Sequence, residues 1–208
     1  MNQICRSGFL LVLMTASGWA YFASHTVYSI NAARSRIELA VFREGLLKSV
    51  GHNHVIMAKN FSGEIRFSPA DLSDSSIRLS IDAGSLSVDD PELSEKDRKE
   101  VQTTMQGPKV LDVQKFPRIE FHSTHVINAG SNGEDLTLTG RLSLHGVEKE
   151  ITFPVHVHRE SDFLRATGTT TLTQSDFAMK PIRSALGTLR VKDQVQVSLD
   201  IVAEKIAP

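Results

Sequence analysis

Cysteine is almost absent from this 208-residue chain: the one residue of its kind, Cys5, precedes everything that could fold. The rest of the chain therefore cannot use disulfides, a thiolate nucleophile or cysteine-bound zinc. Charge of one sign is also lacking, since 23 Lys and Arg stand against 24 Asp and Glu with a net charge of -1, and the basic residues are scattered. That balance leaves no electrostatic footprint for nucleic acid, so no such partner is expected. The mixed run from Glu92 to Glu100 reads as a solvated helix face. The chain has no Gly-x-Ser-x-Gly elbow, phosphate loop, dinucleotide fingerprint or His-Glu-x-x-His pattern. Ser175-Asp176 and the histidines have no spacing that compels a triad, and Asp176 reads as a cap or stabiliser of the turn before Phe177, so the expectation is a protein without catalysis and without a cofactor.

Only one stretch is continuously apolar. After Arg6 comes GFLLVLMTASGWAYFA, and no charged side chain occurs from Ser7 to Ala33. A short basic start, an apolar centre and small residues at Ala20 and Ala23 make residues 1–23 a secretory signal. The rival reading is an uncleaved anchor, for which the apolar segment is short against the roughly 20 residues of a full span. Cys5 lies ahead of the apolar centre, where it is badly placed for a lipid-modified mature terminus. Residues 24–208 are enough for one generous domain and its core.

Within that domain the recurring signal is period two. Ile119, Phe121 and Ser123, then Leu136, Leu138, Gly140, Leu142 and Leu144, then Ile151, Phe153, Val155 and Val157 fall on every second position. Each run is a strand with one dry face. The links at Asn128–Gly133 and His145–Lys149 are short, polar and glycine-bearing, as in an antiparallel meander. The same alternation recurs at Ser24–Ile30, Ser35–Phe42, Phe61–Phe67, Ile77–Ala83, Phe163–Thr173 and Val195–Ala203. Gly168 suggests a bend or bulge. Ser94 followed by Asp97, with Val101 and Met105 four apart and Gly107-Pro108 behind them, predicts a polar surface helix of about three turns that closes one end of the sheet. The last strand can pair with the first. The expected fold is thus all-β, an antiparallel β-barrel of about eight strands with one helix in a connection.

Two sets of residues are candidates for binding. Ile65, Phe67, Leu79, Phe121, Leu138, Leu142, Phe153 and Val197 share the inward parity. Parity alone favours a filled core, because closed barrels of this size are often solid. If the interior is open, each enclosed methylene contributes about 0.8 kcal/mol to holding an apolar tail. The second set is His52 and His54, two imidazoles in a loop broken by Gly45 and Gly51 that could lie at a barrel mouth. With a third ligand such as His25, His122 or His145 they would make a metal site; alone they read as loop histidines bonded to backbone. His156 and His158 fall on the outer face and read as solvated surface.

Several segments occur together in one order: Phe61-Ser62-Gly63-Glu64-Ile65 with Phe67 and Pro69, DVQKFPRIEFHST from Asp112 to Thr124, LSLHGVEK from Leu142 to Lys149, Gln174-Ser175-Asp176-Phe177, and Asp193-Gln194-Val195. In these the chain resembles the YceI-like family of secreted bacterial proteins, from about Ser24 to Glu204. The loop Gly51–His54 and the stretch between Phe177 and Gln194 depart from the family's pattern. The resemblance implies a lipocalin-like barrel in the periplasm with a helix before the Lys-Phe-Pro segment. It also implies an open apolar pocket, rather than a filled one, for a polyisoprenoid or other amphiphilic lipid, with membrane contact during lipid exchange or through a retained N-terminal anchor.

Overall fold

The computed structural model describes residues 25–44, 54–183 and 190–206. The expected signal or anchor, the loop at 45–53 with His52, and residues 184–189 lie outside them. The described strands are β1 (Thr26–Ile30), β2 (Arg36–Glu44), β3 (His54–Ala58), β4 (Phe61–Phe67), β5 (Ser76–Asp82), β6 (Leu86–Val88), β7 (Arg118–Asn128), β8 (Asp135–Leu144), β9 (Val147–Arg159), β10 (Phe163–Thr173) and β11 (Arg190–Lys205), with helix α1 at Glu95–Gln106.

Six of these strands are halves of three longer ones. β1 and β2 both run antiparallel to β11, from Tyr28 opposite Lys205 to Glu44 opposite Arg190. β3 and β4 continue one another in the same way against β2 and β1, and β6 and β5 against β3 and β4. The breaks lie side by side, at the 3-10 turn Ala32–Arg34, at Lys59-Asn60 and at the 3-10 turn Ala83–Ser85. Side chains replace the lost ladder there. Ser35 Oγ donates to Asn31 O at 2.7 Å and accepts from Val202 N at 2.9 Å, while Asp82 accepts from Gly84 N at 2.9 Å. Counted this way, the sheet is an eight-stranded, antiparallel, closed barrel in up-and-down order, shut by the pairing of β1 with β11. Closure removes the two outer edges that an open sheet of the described strands would have.

Helix α1 begins as expected: the Ser94 hydroxyl accepts from Asp97 N at 3.2 Å and donates to the Asp97 carboxylate at 2.7 Å. Met105 is buried and Val101 packs on the core. The helix lies where β7 parts from the β5–β6 strand, beyond a last rung from Ala83 N to Pro117 O at 2.9 Å. There Gln102 stands in for a strand, its amide donating to Leu86 O at 2.7 Å and accepting from Val88 N at 2.9 Å. This end of the barrel, which also carries the turn at His145-Gly146 and the 3-10 turn Gln174–Phe177, is called the helix end below.

Two expectations are corrected. His54 was expected in a loop but opens β3, a strand whose HVIMA sequence is nearly all buried and so shows no alternation. Asp176 was expected to stabilise its own turn. Instead it pairs with Lys149 Nζ at 3.1 Å, and Asp193 of β11 caps the turn by accepting from Ser175 N at 2.8 Å.

Candidate functional site

The inward faces of the strands do not meet in the middle. They enclose an apolar cavity of about 220 Å³ that runs the length of the barrel. All eight residues singled out by parity line it: Ile65 and Phe67 on β4, Leu79 on β5, Phe121 on β7, Leu138 and Leu142 on β8, Phe153 on β9 and Val197 on β11. The Phe121 and Phe153 rings meet tilted, with centroids 5.8 Å apart, and form the aromatic part of the wall. Sequence reasoning did not single out Ile37, Leu39 and Val41 of β2 or Leu164 and Ala166 of β10, although they sit on the same parity. Nor did it place Met105, Val110, Leu111 and Met179, which seal the helix end and come from segments without a strand period.

Few polar groups touch this space. Arg66, Ser75, Thr167, Thr170 and Gln174 are the polar side chains among the lining residues. Gln174 is spent on structure, its amide donating to Lys192 O at 2.9 Å. Arg66 is held outward by Glu64, at 2.8 Å. Away from the helix, the Arg159 guanidinium of β9 stacks over the Phe67 ring of β4 at 5.4 Å. Those two strands stand on opposite sides of the ring, so the pair spans that mouth.

The helix end carries the polar network. His54 and Asp90 are both buried, with Nδ1 3.1 Å from the Asp90 carboxylate. Asp90 also accepts from Glu92 N at 3.1 Å, and its carbonyl accepts from Arg98 at 3.1 Å. Among the described residues no three His, Cys, Asp or Glu side chains are grouped to hold a metal ion. His52 lies outside those residues, so the structure neither joins nor separates the His52 and His54 pair. Of the other histidines named, His145 is bonded to the Phe177 carbonyl, and His156 and His158 are exposed on the outer face, paired with Asp135 and Glu160.

On the outside of the seam between β10, β11 and β2, two carboxylates are held below their usual range. Two hydrogen bonds from Arg165, at 2.7 and 2.6 Å, lower Asp200. Bonds from Arg34 at 3.0 Å and Asn31 at 2.9 Å lower Glu204. On the β8 side, bonds from His156 and then Asn132 lower Asp135 in the same way.

The YceI-like domain matches residues 28–203 of the chain. Among curated relatives, a UPF0312 protein of Shewanella denitrificans is 31% identical over 206 residues, covering 96% of this chain and 94% of the relative. Among solved structures, BcnA of Burkholderia cenocepacia superposes with a TM-score of 0.68 at 21% identity, covering 83% of this chain and 98% of that one. A polyisoprenoid-binding domain from Saccharophagus degradans superposes with a TM-score of 0.62 at 15% identity, covering 88% of this chain and all of that one.

Proposed function

The chain belongs to the YceI-like domain family, and from that premise we propose that it is a binding or carrier protein. It holds the tail of an isoprenoid-like or other amphiphilic lipid in its barrel and releases it unchanged. The observation that carries this reading is the apolar cavity, with only five polar residues among its lining. A void of about 150 Å³ in an apolar core takes up benzene, so about 220 Å³ corresponds to roughly nine carbons of tail. Nine methylenes at about 0.8 kcal/mol each contribute about 7 kcal/mol, a Kd of about 10 µM before ordering costs. The polyisoprenoid-binding structural neighbour supports the same ligand class. The signal-like stretch before Ser24 supports a periplasmic location, with membrane contact at the moment of exchange.

The test is native mass spectrometry of protein recovered from its own host, followed by organic extraction of whatever adds mass. A discrete adduct that extracts as an isoprenoid lipid is expected. A bare mass, together with no uptake of a farnesyl probe, would sink the reading.

A further inference from the structure

A tail much longer than nine carbons must leave the barrel somewhere, and among the described strands β9 and β10 are neighbours that are laddered over only part of their length. β9 stays paired with β8 down to Val147, and β10 stays paired with β11 down to Thr173. Between themselves, however, β9 and β10 pair only from Arg159 opposite Leu164 to Val155 opposite Gly168.

Pro154 explains why the ladder stops. Its carbonyl oxygen lies 2.9 Å from where a Cβ on Gly168 would stand, so Pro154 faces β10 with its backbone polar atoms. A strand residue directs its N and O to the same neighbour, so the N–H that proline lacks is the one β10 would have received. Gly168, without a Cβ, lets the two backbones close at this last rung. Beyond it the edges carry Ile151 and Phe153 on one side and Thr170 and Leu172 on the other, and all four line the cavity. The seam is bridged again at the helix end, where Lys149 of β9 pairs with Asp176 at 3.1 Å, both half-exposed.

We propose that this seam, bounded by the Pro154–Gly168 rung and the Lys149–Asp176 bridge, is the lateral portal through which the lipid tail enters and leaves the barrel. The inference rests on the reading of the cavity as a lipid site and adds its route. The five-residue seam is roughly 16 Å long at the rise of a strand, enough for a tail to slide in sideways instead of threading past Arg159 and Phe67. A carrier that presents this face to a bilayer can exchange its tail without carrying it through water.

The test uses stopped-flow binding of dansyl-farnesylamine. In a Cys5→Ala background, Thr152→Cys and Thr171→Cys, outward-facing on the two edges, are joined by a short bis-maleimide. Tying the seam should slow association and dissociation together, each by about tenfold or more, with Kd within about threefold, because a portal changes the barrier and not the bound state. The same double variant before cross-linking should match wild type. Lys149→Ala, which removes the bridge, should raise both rates by roughly threefold at constant Kd. Binding with rates unaffected by the cross-link and by Lys149→Ala would overturn the portal and leave the lipid reading standing. No binding to the wild-type protein would overturn both.

Discussion

His145 Nδ1 lies 3.0 Å from the carbonyl oxygen of Phe177. A carbonyl can only accept, so this nitrogen carries the proton and the ring is fixed in that orientation. The contact ties the turn between β8 and β9 to the 3-10 turn after β10, elements 32 residues apart in the chain. The same imidazole meets the Phe116 ring edge-on, with centroids 5.0 Å apart. Phe116 belongs to the Lys-Phe-Pro segment leading into β7. Three of the segments that recur together in the sequence are therefore one packed unit that holds the helix end of the barrel.

Gly146 is the part of that unit least open to change. With His145 at φ 51° and Gly146 at φ 75°, the two form a tight hairpin turn between Leu144 and Val147, which pair with each other. A Cβ on Gly146 would run into the Phe116 ring. Gly146→Ala should therefore cost about 2–4 kcal/mol, from left-handed strain of about 1 kcal/mol and overpacking of about 1–3 kcal/mol. His145→Ala, which loses one hydrogen bond and an edge contact, should cost about 1 kcal/mol. Urea unfolding should rank the two variants in that order; equal midpoints would mean that Phe116 moves aside freely.

The carboxylates of the β10–β11 seam make stability depend on acid. Asp200 and Glu204 are both depressed in the folded state, by hydrogen bonds from Arg165 and from Arg34 with Asn31. A depressed group binds a proton more weakly when folded. Its contribution is therefore complete above its unfolded value, near pH 4 for carboxylates, and is lost as pH falls through the lower folded value. Tm should thus be flat from about pH 7 to 5 and fall below about pH 4. Asp200→Asn should lower Tm at neutral pH and make the acid fall shallower. An acid limb of unchanged slope in Asp200→Asn would show that this pair does not carry it.

Much of this was legible from alternation. β10 has the bounds its pattern predicted, Phe163–Thr173, and Ser94 and Asp97 mark the start of α1 in sequence and structure alike. What escaped is what alternation cannot express. The three split strands depend on side chains such as Ser35 and Asp82 that mend the breaks, and β6 is only three residues long. His54 lies on a strand buried on both faces, where period two vanishes. The cavity's existence was equally hidden, because inward parity is the same for a residue that plugs a barrel and one that lines it. The seam was written in the chain as Pro154 and Gly168, but their meaning depends on the register that sets the carbonyl of one beside the Cα of the other.

Gln102 mimics a peptide group against the edge of β6, and its removal should be felt at one amide above all. Gln102→Ala leaves Val88 N without its partner in a half-buried setting, which costs about 1–3 kcal/mol. Hydrogen exchange at Val88 should rise by roughly fivefold to a hundredfold, one factor of ten for each roughly 1.4 kcal/mol, while amides in β8 keep their protection. Uniform loss of protection would mean instead that α1 is needed for the whole barrel to fold.

Filling the cavity separates its role in binding from its role in folding. Val197 points into the space from β11 and is buried there. Val197→Phe adds a ring where the tail would lie and displaces about two to four of its carbons, at about 0.8 kcal/mol each, so affinity for a farnesyl probe should fall by roughly tenfold to a hundredfold. Stability should stay level or rise, because the new ring takes up empty apolar volume instead of crowding a packed core. The two readouts move apart only if the cavity is the binding site. A variant that loses both Tm and affinity would point to overpacking, and for that case Leu138→Met, which changes shape at nearly constant volume, should leave both near wild type. Unchanged affinity in a well-folded Val197→Phe protein would place the lipid outside the barrel.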